Sequence, residues 1–82
     1  MVALVVYGGN LKAYIFKQGT RYNFKIYHVG ESKMSIVFES VIRYQDLKEC
    51  VARVRSDLSE MLGIDEGLLS TIKVNVNKEV YA

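Results

Sequence analysis

Four segments near the start of the chain alternate between apolar and polar or aromatic residues, a pattern typical of strands that bury one face. These segments span approximately residues 2–7, 11–17, 20–28 and 33–39. They are separated by short stretches with the composition of hairpin turns: Gly8-Gly9-Asn10, Gln18-Gly19 and Gly30-Glu31-Ser32. The pattern predicts an antiparallel meander of four strands.

A two-residue loop at Gln18-Gly19 sets the expected register between strands two and three. It pairs apolar residues on one face: Ile15 with Tyr22, Ala13 with Phe24 and Leu11 with Ile26. A slip by one residue would mix this face with a polar one, so the register is well specified. We expect this inner face to form the core, together with Val2, Leu4 and Val6 of strand one and Met34, Ile36 and Phe38 of strand four.

The opposite face of the sheet, here called the outer face, mixes cations with aromatic rings. On strands two and three it presents Lys12, Tyr14, Phe16, Arg21, Asn23, Lys25 and Tyr27. Ala3, Val5 and Tyr7 of strand one are expected beside them. The same register sets Lys12 directly opposite Lys25, a like-charge pair that is unfavourable in the free protein and that a bound anion would relieve.

The period of the apolar residues changes to that of a helix over residues 44–62. Asp46 lies in the first turn, where an acid favours the helix dipole, and Gly63-Ile64 is typical of a Schellman ending. Asp65 is expected to cap a short helical turn through Ser70. The stripe predicted to be buried consists of Leu47, Cys50, Val51, Val54, Leu58, Met61 and Leu62.

The last alternating segment has Ile72, Val74 and Val76 on one side and Lys73, Asn75 and Asn77 on the other, which predicts a half-buried fifth strand. Antiparallel pairing of this strand with strand one would explain why strand one is apolar on both faces. The predicted fold is a single α+β domain over residues 1–82. It has a mainly antiparallel five-stranded sheet, element order β-β-β-β-α-β, strand order 5-1-2-3-4, and one long helix on the inner face.

Charge is distributed unevenly along the chain. Half of the 82 residues are apolar, a quarter are charged, and the net charge is +2. The first 30 residues hold four Lys or Arg and no acid, whereas the rest hold nine acids and seven Lys or Arg. A chain of this size buries only somewhat more than about 60% of its unfolded surface, so we expect it to gain stability as a homodimer.

Candidate catalytic and metal-binding residues are few. Cys50 is the only cysteine and His28 the only histidine, which excludes an internal disulfide framework and a Cys/His zinc site within one chain. Cys50 lies on the buried stripe and His28 at a strand end, so we expect no nucleophile and base pair. Asp65-Glu66 lacks a third metal ligand. The sequence predicts a protein that is not an enzyme and uses no metal or cofactor.

No apolar run reaches the roughly 20 residues that span a bilayer. The apolar start, Val2 to Val6, is too short for a signal peptide and has no basic segment before it. We therefore expect a cytoplasmic protein without a membrane partner.

Two functions fit the outer face. In the first, the protein is a non-catalytic nucleic-acid-binding module, for example a regulator, for single-stranded or double-stranded nucleic acid. Cations would attract phosphates and aromatic rings would stack bases; the residues are Lys12, Tyr14, Phe16, Lys17, Arg21, Lys25 and Tyr27. In the alternative, it is a protein-interaction or structural module and a homodimer. The outer face is then a protein interface, and its apolar patch of Ala3, Val5, Tyr7, Tyr14 and Phe16 would be covered by a second copy of the chain.

The order of four meander strands followed by a helix, over residues 2–62, resembles that of the positive cofactor four and whirly families. Members of those families dimerise and hold single-stranded nucleic acid on curved sheets. The resemblance implies a dimeric nucleic-acid-binding protein. The additional strand expected near residues 71–77 departs from the simplest form of that pattern.

Overall fold

A computed structural model describes residues 2–41 and 43–73 of the chain. Its five strands form one antiparallel sheet in the order β4-β3-β2-β1-β5, and one helix packs on the sheet, in the element order β-β-β-β-α-β. This confirms the predicted fold class and strand order. The elements are β1 (Val2–Gly8), β2 (Leu11–Gln18), β3 (Arg21–Val29), β4 (Met34–Glu39), α1 (Leu47–Leu62), a 3-10 turn (Glu66–Leu68) and β5 (Ser70–Lys73).

The β2–β3 hairpin turns at Gly19-Thr20, one residue later than predicted, because Gln18 pairs with Arg21. Ile15 therefore pairs with Phe24 rather than Tyr22, and every pair on this hairpin is displaced by two residues. A displacement of two keeps each side chain on its own face. The predicted inner and outer faces of β2 and β3 are consequently right, although the predicted partners are wrong.

Two register irregularities move apolar residues from the inner to the outer face. In β4, Ile36 pairs with Tyr27 but Phe38 pairs with Ile26, which leaves Val37 as the extra residue of a β-bulge. Met34 and Ile36 thus lie on the outer face, contrary to the prediction, and only Phe38 lies on the inner face. A second irregularity, at Ala3, sets Val2 opposite Phe16 and so on the outer face as well.

The core lies between the inner face of the sheet and α1. Phe24, Ile15, Ile26 and Val6 of the sheet are fully buried against three helix residues, Cys50, Val54 and Leu58. Met61, predicted to belong to the buried stripe, is instead 47% exposed. It lies at the edge of the stripe, on the flank of α1 that faces β4, where Phe38 is its neighbour in an open groove.

The ends of α1 follow the sequence signals. Asp46 is the N-cap, and its side chain accepts a hydrogen bond from the backbone N–H of Lys48 (3.0 Å). Gly63 ends the helix with φ +64°, a left-handed conformation that favours glycine, and Ile64 packs against the core. Asp65 caps the following 3-10 turn, as predicted, by accepting from Gly67 N.

β5 pairs antiparallel with β1, as predicted, with Val5 opposite Ile72 and Val6 opposite Thr71. This register sets Ile72 on the outer face, where it is 51% exposed, rather than on a buried face. Arg55 of α1 donates to Thr71 Oγ1 (3.0 Å), so Thr71 is held on the helix side. The predicted residues 74–77 of this strand lie outside the described residues. Over residues 2–41 and 43–73, no helix is long and apolar enough to cross a membrane.

Candidate interaction surface

The outer face presents two rows of side chains that each cross all five strands. One row runs from β5 to β4 as Ile72, Val5, Tyr14, Lys25 and Glu39. The other row, also read from β5 to β4, consists of Ser70, Tyr7, Lys12, Tyr27 and Ile36. Directly paired residues share a face, so these ten side chains form one continuous surface on the side of the sheet opposite α1.

Three aromatic side chains form a cluster at the centre of the outer face. The ring of Tyr14 meets that of Tyr27 edge-on, with centroids 5.4 Å apart, and lies 6.5 Å from that of Phe16. All three side chains are half-buried by one another and by the neighbouring strands. The predicted aromatic residues are thus brought together as a packed cluster rather than as separate, fully exposed rings.

Lys25 is paired within the outer face. Its Nζ lies 3.7 Å from Oε1 of Glu39, the residue opposite it on β4, and 5.6 Å from the centre of the Phe16 ring. The carboxylate offsets the charge that sequence reasoning assigned to phosphate binding, and the ring contact is of cation–π type.

Lys12 lies opposite Tyr27 on one side and Tyr7 on the other. The predicted like-charge pair with Lys25 is therefore wrong, because the two-residue displacement of the hairpin sets Lys25 opposite Tyr14. Within the described part of the chain Lys12 makes no ion pair. It is a half-buried cation among tyrosines.

The other two predicted cations lie at the far end of the hairpin. Arg21 is exposed and pairs with Gln18 next to the turn. Lys17 pairs with Tyr22, which packs on the core, so Lys17 belongs to the inner side of the sheet. The structure therefore keeps six of the seven predicted site residues on the outer face and separates Lys17 from them.

Besides Val2, sequence reasoning missed three apolar residues of this surface. Ile36 and Met34 are 53% and 49% exposed beside Tyr27 and Val29, and Ile72 is 51% exposed beside Val5. Alternation along β4 predicts that Met34 and Ile36 lie on the inner face. The bulge at Val37 reverses their orientation, and the apolar pattern gives no sign of it. The observed outer face is consequently more apolar than the outer face predicted from the sequence.

A separate open groove of about 400 Å³ lies between β4 and the exposed flank of α1. Its lining includes Phe38 and Met61, together with the ion pair between Arg53 Nε and Asp57 Oδ1 (3.4 Å). Tyr44 extends the groove and has its pKa raised by partial burial, an effect that the Arg53 charge opposes. The Arg53–Asp57 pair offsets the charges of the groove, and no Cys, His or Ser–His pair lies among these residues.

The remaining candidate residues have structural contacts. Cys50 is buried in the core, and burial, with a smaller effect of Glu49, raises the pKa of its thiol to about 11. His28 at the end of β3 lies 2.9 Å, Nε2 to Nδ2, from Asn10 of the neighbouring turn. Among residues 2–41 and 43–73, no group of three or more His, Cys, Asp or Glu side chains is arranged to hold a metal ion.

The chain matches no protein-family model, and comparisons with curated proteins and with solved structures give no match. The resemblance in element order to the positive cofactor four and whirly families therefore stays a prediction.

Proposed function

We propose that the protein is a non-catalytic protein-interaction module that binds its partner through the outer face of the sheet. The observation that carries this proposal is the pair of five-strand rows, which place apolar or aromatic side chains on every strand of a face that α1 does not cover. Aromatic residues and Met are enriched at protein interfaces, and charged residues are depleted from their centres.

The size of the surface supports the proposal. Strands spaced about 4.8 Å apart, four of them about 20 Å or more in length and β5 shorter, make a face on the order of 400 Å² in projection. Polar and apolar side chains share this area, and Val5, Tyr14, Tyr27, Ile36 and Ile72 are among its apolar and aromatic members. Exposed apolar patches rimmed by polar residues often mark interaction sites.

The charge of the face defines the partner. Lys12 lies between Tyr7 and Tyr27, so a partner that covers these rings also removes water from the Lys12 ammonium group. Burying an unpaired cation is costly, and the partner must therefore offset it. We infer a protein surface with apolar side chains around a carboxylate. A second copy of the same face offers Glu39, whose charge its own Lys25 already offsets, so a copy-on-copy arrangement of outer faces is disfavoured.

Nucleic-acid binding is the second candidate, and one specific observation favours it: Lys12 is flanked in its row by two tyrosine rings, so a phosphate and a stacked base could bind side by side. The pairing of Lys25 with Glu39 and the inward position of Lys17 weaken this candidate. Both remove positive charge from the face that the phosphates would contact.

Photo-crosslinking separates the two candidates. A photoreactive residue in place of Ile36, on the outer face, is compared with one in place of Lys48, which is exposed on α1. After illumination in extract of the native host, we expect an adduct from position 36 and not from 48. An adduct that protease digests and nuclease leaves intact supports the protein interface. A nuclease-sensitive adduct supports nucleic acid, and equal adducts from both positions contradict an outer-face site.

The predicted homodimer also stays a proposal. The small size of the chain favours it. Because the Glu39 carboxylate of a second outer face is already paired with Lys25, it leaves Lys12 without a partner, and self-association is expected on another surface.

A further inference from the structure

Glu39 is the only acid in the five described strands, and it lies on the outer face, where it ends β4 opposite Lys25 of β3. We propose that Glu39 determines the specificity of the outer face: it keeps polyanions away and leaves the face open to a protein partner. This role rests on the proposed outer-face function and concerns which molecules that face accepts.

Lys25 joins Glu39 to the aromatic cluster. Its Nζ lies 3.7 Å from Glu39 Oε1 and 5.6 Å from the centre of the Phe16 ring. Tyr14, whose ring centroid is 6.5 Å from that of Phe16, pairs directly with Lys25 across β2 and β3. A cation beside stacked rings is the combination that holds single-stranded nucleic acid. Lys25 would therefore complete a phosphate and base site if Glu39 did not pair with it.

The Glu39 carboxylate opposes a polyanion in two ways. It offsets the charge of Lys25, so fewer counterions are released when a phosphate approaches, and binding gains less from their release. It also repels the phosphate directly, because its own side chain is 57% exposed beside the cluster. Binding specificity often depends on such unfavourable contacts with the wrong ligand as much as on favourable contacts with the right one.

A single partner carboxylate at Lys12 avoids this repulsion. Lys12 lies on β2 in one row, and Glu39 lies two strands away in the other row. Strands about 4.8 Å apart, and same-face residues about 6.8 Å apart along a strand, set the two backbone positions roughly 12 Å apart. This distance exceeds the Debye length of about 8 Å at physiological ionic strength. A nucleic-acid strand carries a phosphate at every nucleotide, so one that contacts Lys12 and stacks on the cluster also brings phosphates close to Glu39.

A double-mutant cycle on Glu39 and Lys25 tests this role. Binding of a fluorescent oligothymidylate is measured by anisotropy over a salt series for the wild-type chain, Glu39→Gln, Lys25→Gln and the double variant. Glu39→Gln frees Lys25 for one further phosphate. We therefore expect its dissociation constant to fall about tenfold at about 20 mM salt and its log–log salt slope to steepen by about 0.7. Lys25→Gln alone should change binding little, and the double variant should bind like wild type.

The matched control is Glu60→Gln, which removes an exposed acid from α1, on the other side of the sheet. It changes the net charge equally and should leave oligonucleotide binding as in wild type. Circular dichroism verifies that each variant is folded. Three results overturn the proposed role: Glu39→Gln binds no more tightly than wild type, Glu60→Gln gives the same gain, or the double variant keeps the gain.

The failure of this role is distinguishable from failure of the outer-face function. The titrations involve no natural partner, so an unchanged Glu39→Gln variant rejects the specificity role and leaves the crosslinking result at position 36 to decide the function. A nuclease-sensitive adduct from the wild-type face contradicts both, because Glu39 would then fail to keep a polyanion away.

Discussion

Lys25 and Glu39 face each other across the β3–β4 ladder, with Lys25 Nζ 3.7 Å from Glu39 Oε1. This contact changes the character of the outer face, because it offsets a cation that lies against the aromatic cluster, 5.6 Å from the centre of the Phe16 ring. Lys12 and Arg21 are then the cations of this face without an ion pair among the described residues. A surface with two such cations and many apolar side chains is better suited to a protein partner than to a polyanion.

The salt dependence of any nucleic-acid binding should be shallow. With Lys12 and Arg21 as the effective phosphate contacts, the log–log slope for a single-stranded oligonucleotide should be about −1.4 per chain, rather than the roughly −3 expected if four cations took part. Lys12→Glu should flatten this slope, whereas Lys17→Glu, on the inner side of the sheet, should change it less. Fluorescence anisotropy over a salt series measures both. A slope near −3 would restore Lys17 and Lys25 as phosphate contacts.

The faces of β2 and β3 could be predicted from the sequence more securely than the pairs on them. Alternation assigns each side chain to a face, and a hairpin displaced by two residues preserves that assignment. The turn residue decides the pairs, and Gln18-Gly19 and Gly19-Thr20 both have plausible turn chemistry. The predicted contact between Lys12 and Lys25 failed for this reason, although both residues lie on the predicted face.

Bulges account for the part of the site that the sequence could not reveal. The alternation of Met34, Ile36 and Phe38 predicts one shared face, but the extra residue at Val37 separates Phe38 from the other two. No glycine or proline marks this position. A one-residue irregularity reverses the orientation of every side chain beyond it. The apolar pattern alone therefore underestimates the number of apolar residues on the outer face.

The helix stripe provides a test of the core. Leu58 is fully buried between α1 and the sheet, and Leu58→Ala should lower the free energy of unfolding by about 2–5 kcal/mol. Met61 was predicted on the same stripe but is half-exposed beside the groove, so Met61→Ala should cost about 1 kcal/mol or less. Arg53→Ala, on the solvated flank, should also cost little. Urea titrations compare the three variants, and equal losses for Leu58 and Met61 would contradict the observed helix orientation.

Asn23 has a buried polar atom without a partner. Its Oδ1 accepts no hydrogen bond from the described residues, although it is shielded from solvent. An unsatisfied buried acceptor is costly, and Asn is disfavoured in strands. Asn23→Val should therefore raise the free energy of unfolding by about 1 kcal/mol.

The control for Asn23→Val is Ser35→Val on β4, an exposed position where the same β-branched side chain replaces a polar one. It gains strand propensity without removing a buried, unpaired atom. Thermal unfolding followed by circular dichroism compares the two variants. If Ser35→Val stabilises the protein as much as Asn23→Val does, strand propensity alone accounts for the gain.

The buried thiol of Cys50 makes the stability of the protein depend on pH. Its side chain is fully buried between α1 and the sheet, and burial, more than the neighbouring Glu49, raises the pKa of its thiol to about 11 from an ordinary value of 9.0. In the unfolded chain the thiol loses its proton near the ordinary value, whereas the folded protein keeps it protonated to higher pH.

Stability should therefore decline as the pH rises from about 9 toward about 11, because over this interval the unfolded chain binds fewer protons than the folded one. Below this interval both states are protonated and Cys50 contributes no slope. Urea titrations at several pH values measure the decline, and Cys50→Ala should be less stable at neutral pH but should show a shallower loss. Tyr44, whose pKa is raised mainly by partial burial and to a smaller extent by Cys50, remains in both proteins, so the difference between them reports the thiol together with its effect on Tyr44. Parallel curves for wild type and Cys50→Ala would mean that the thiol ionises equally readily in both states.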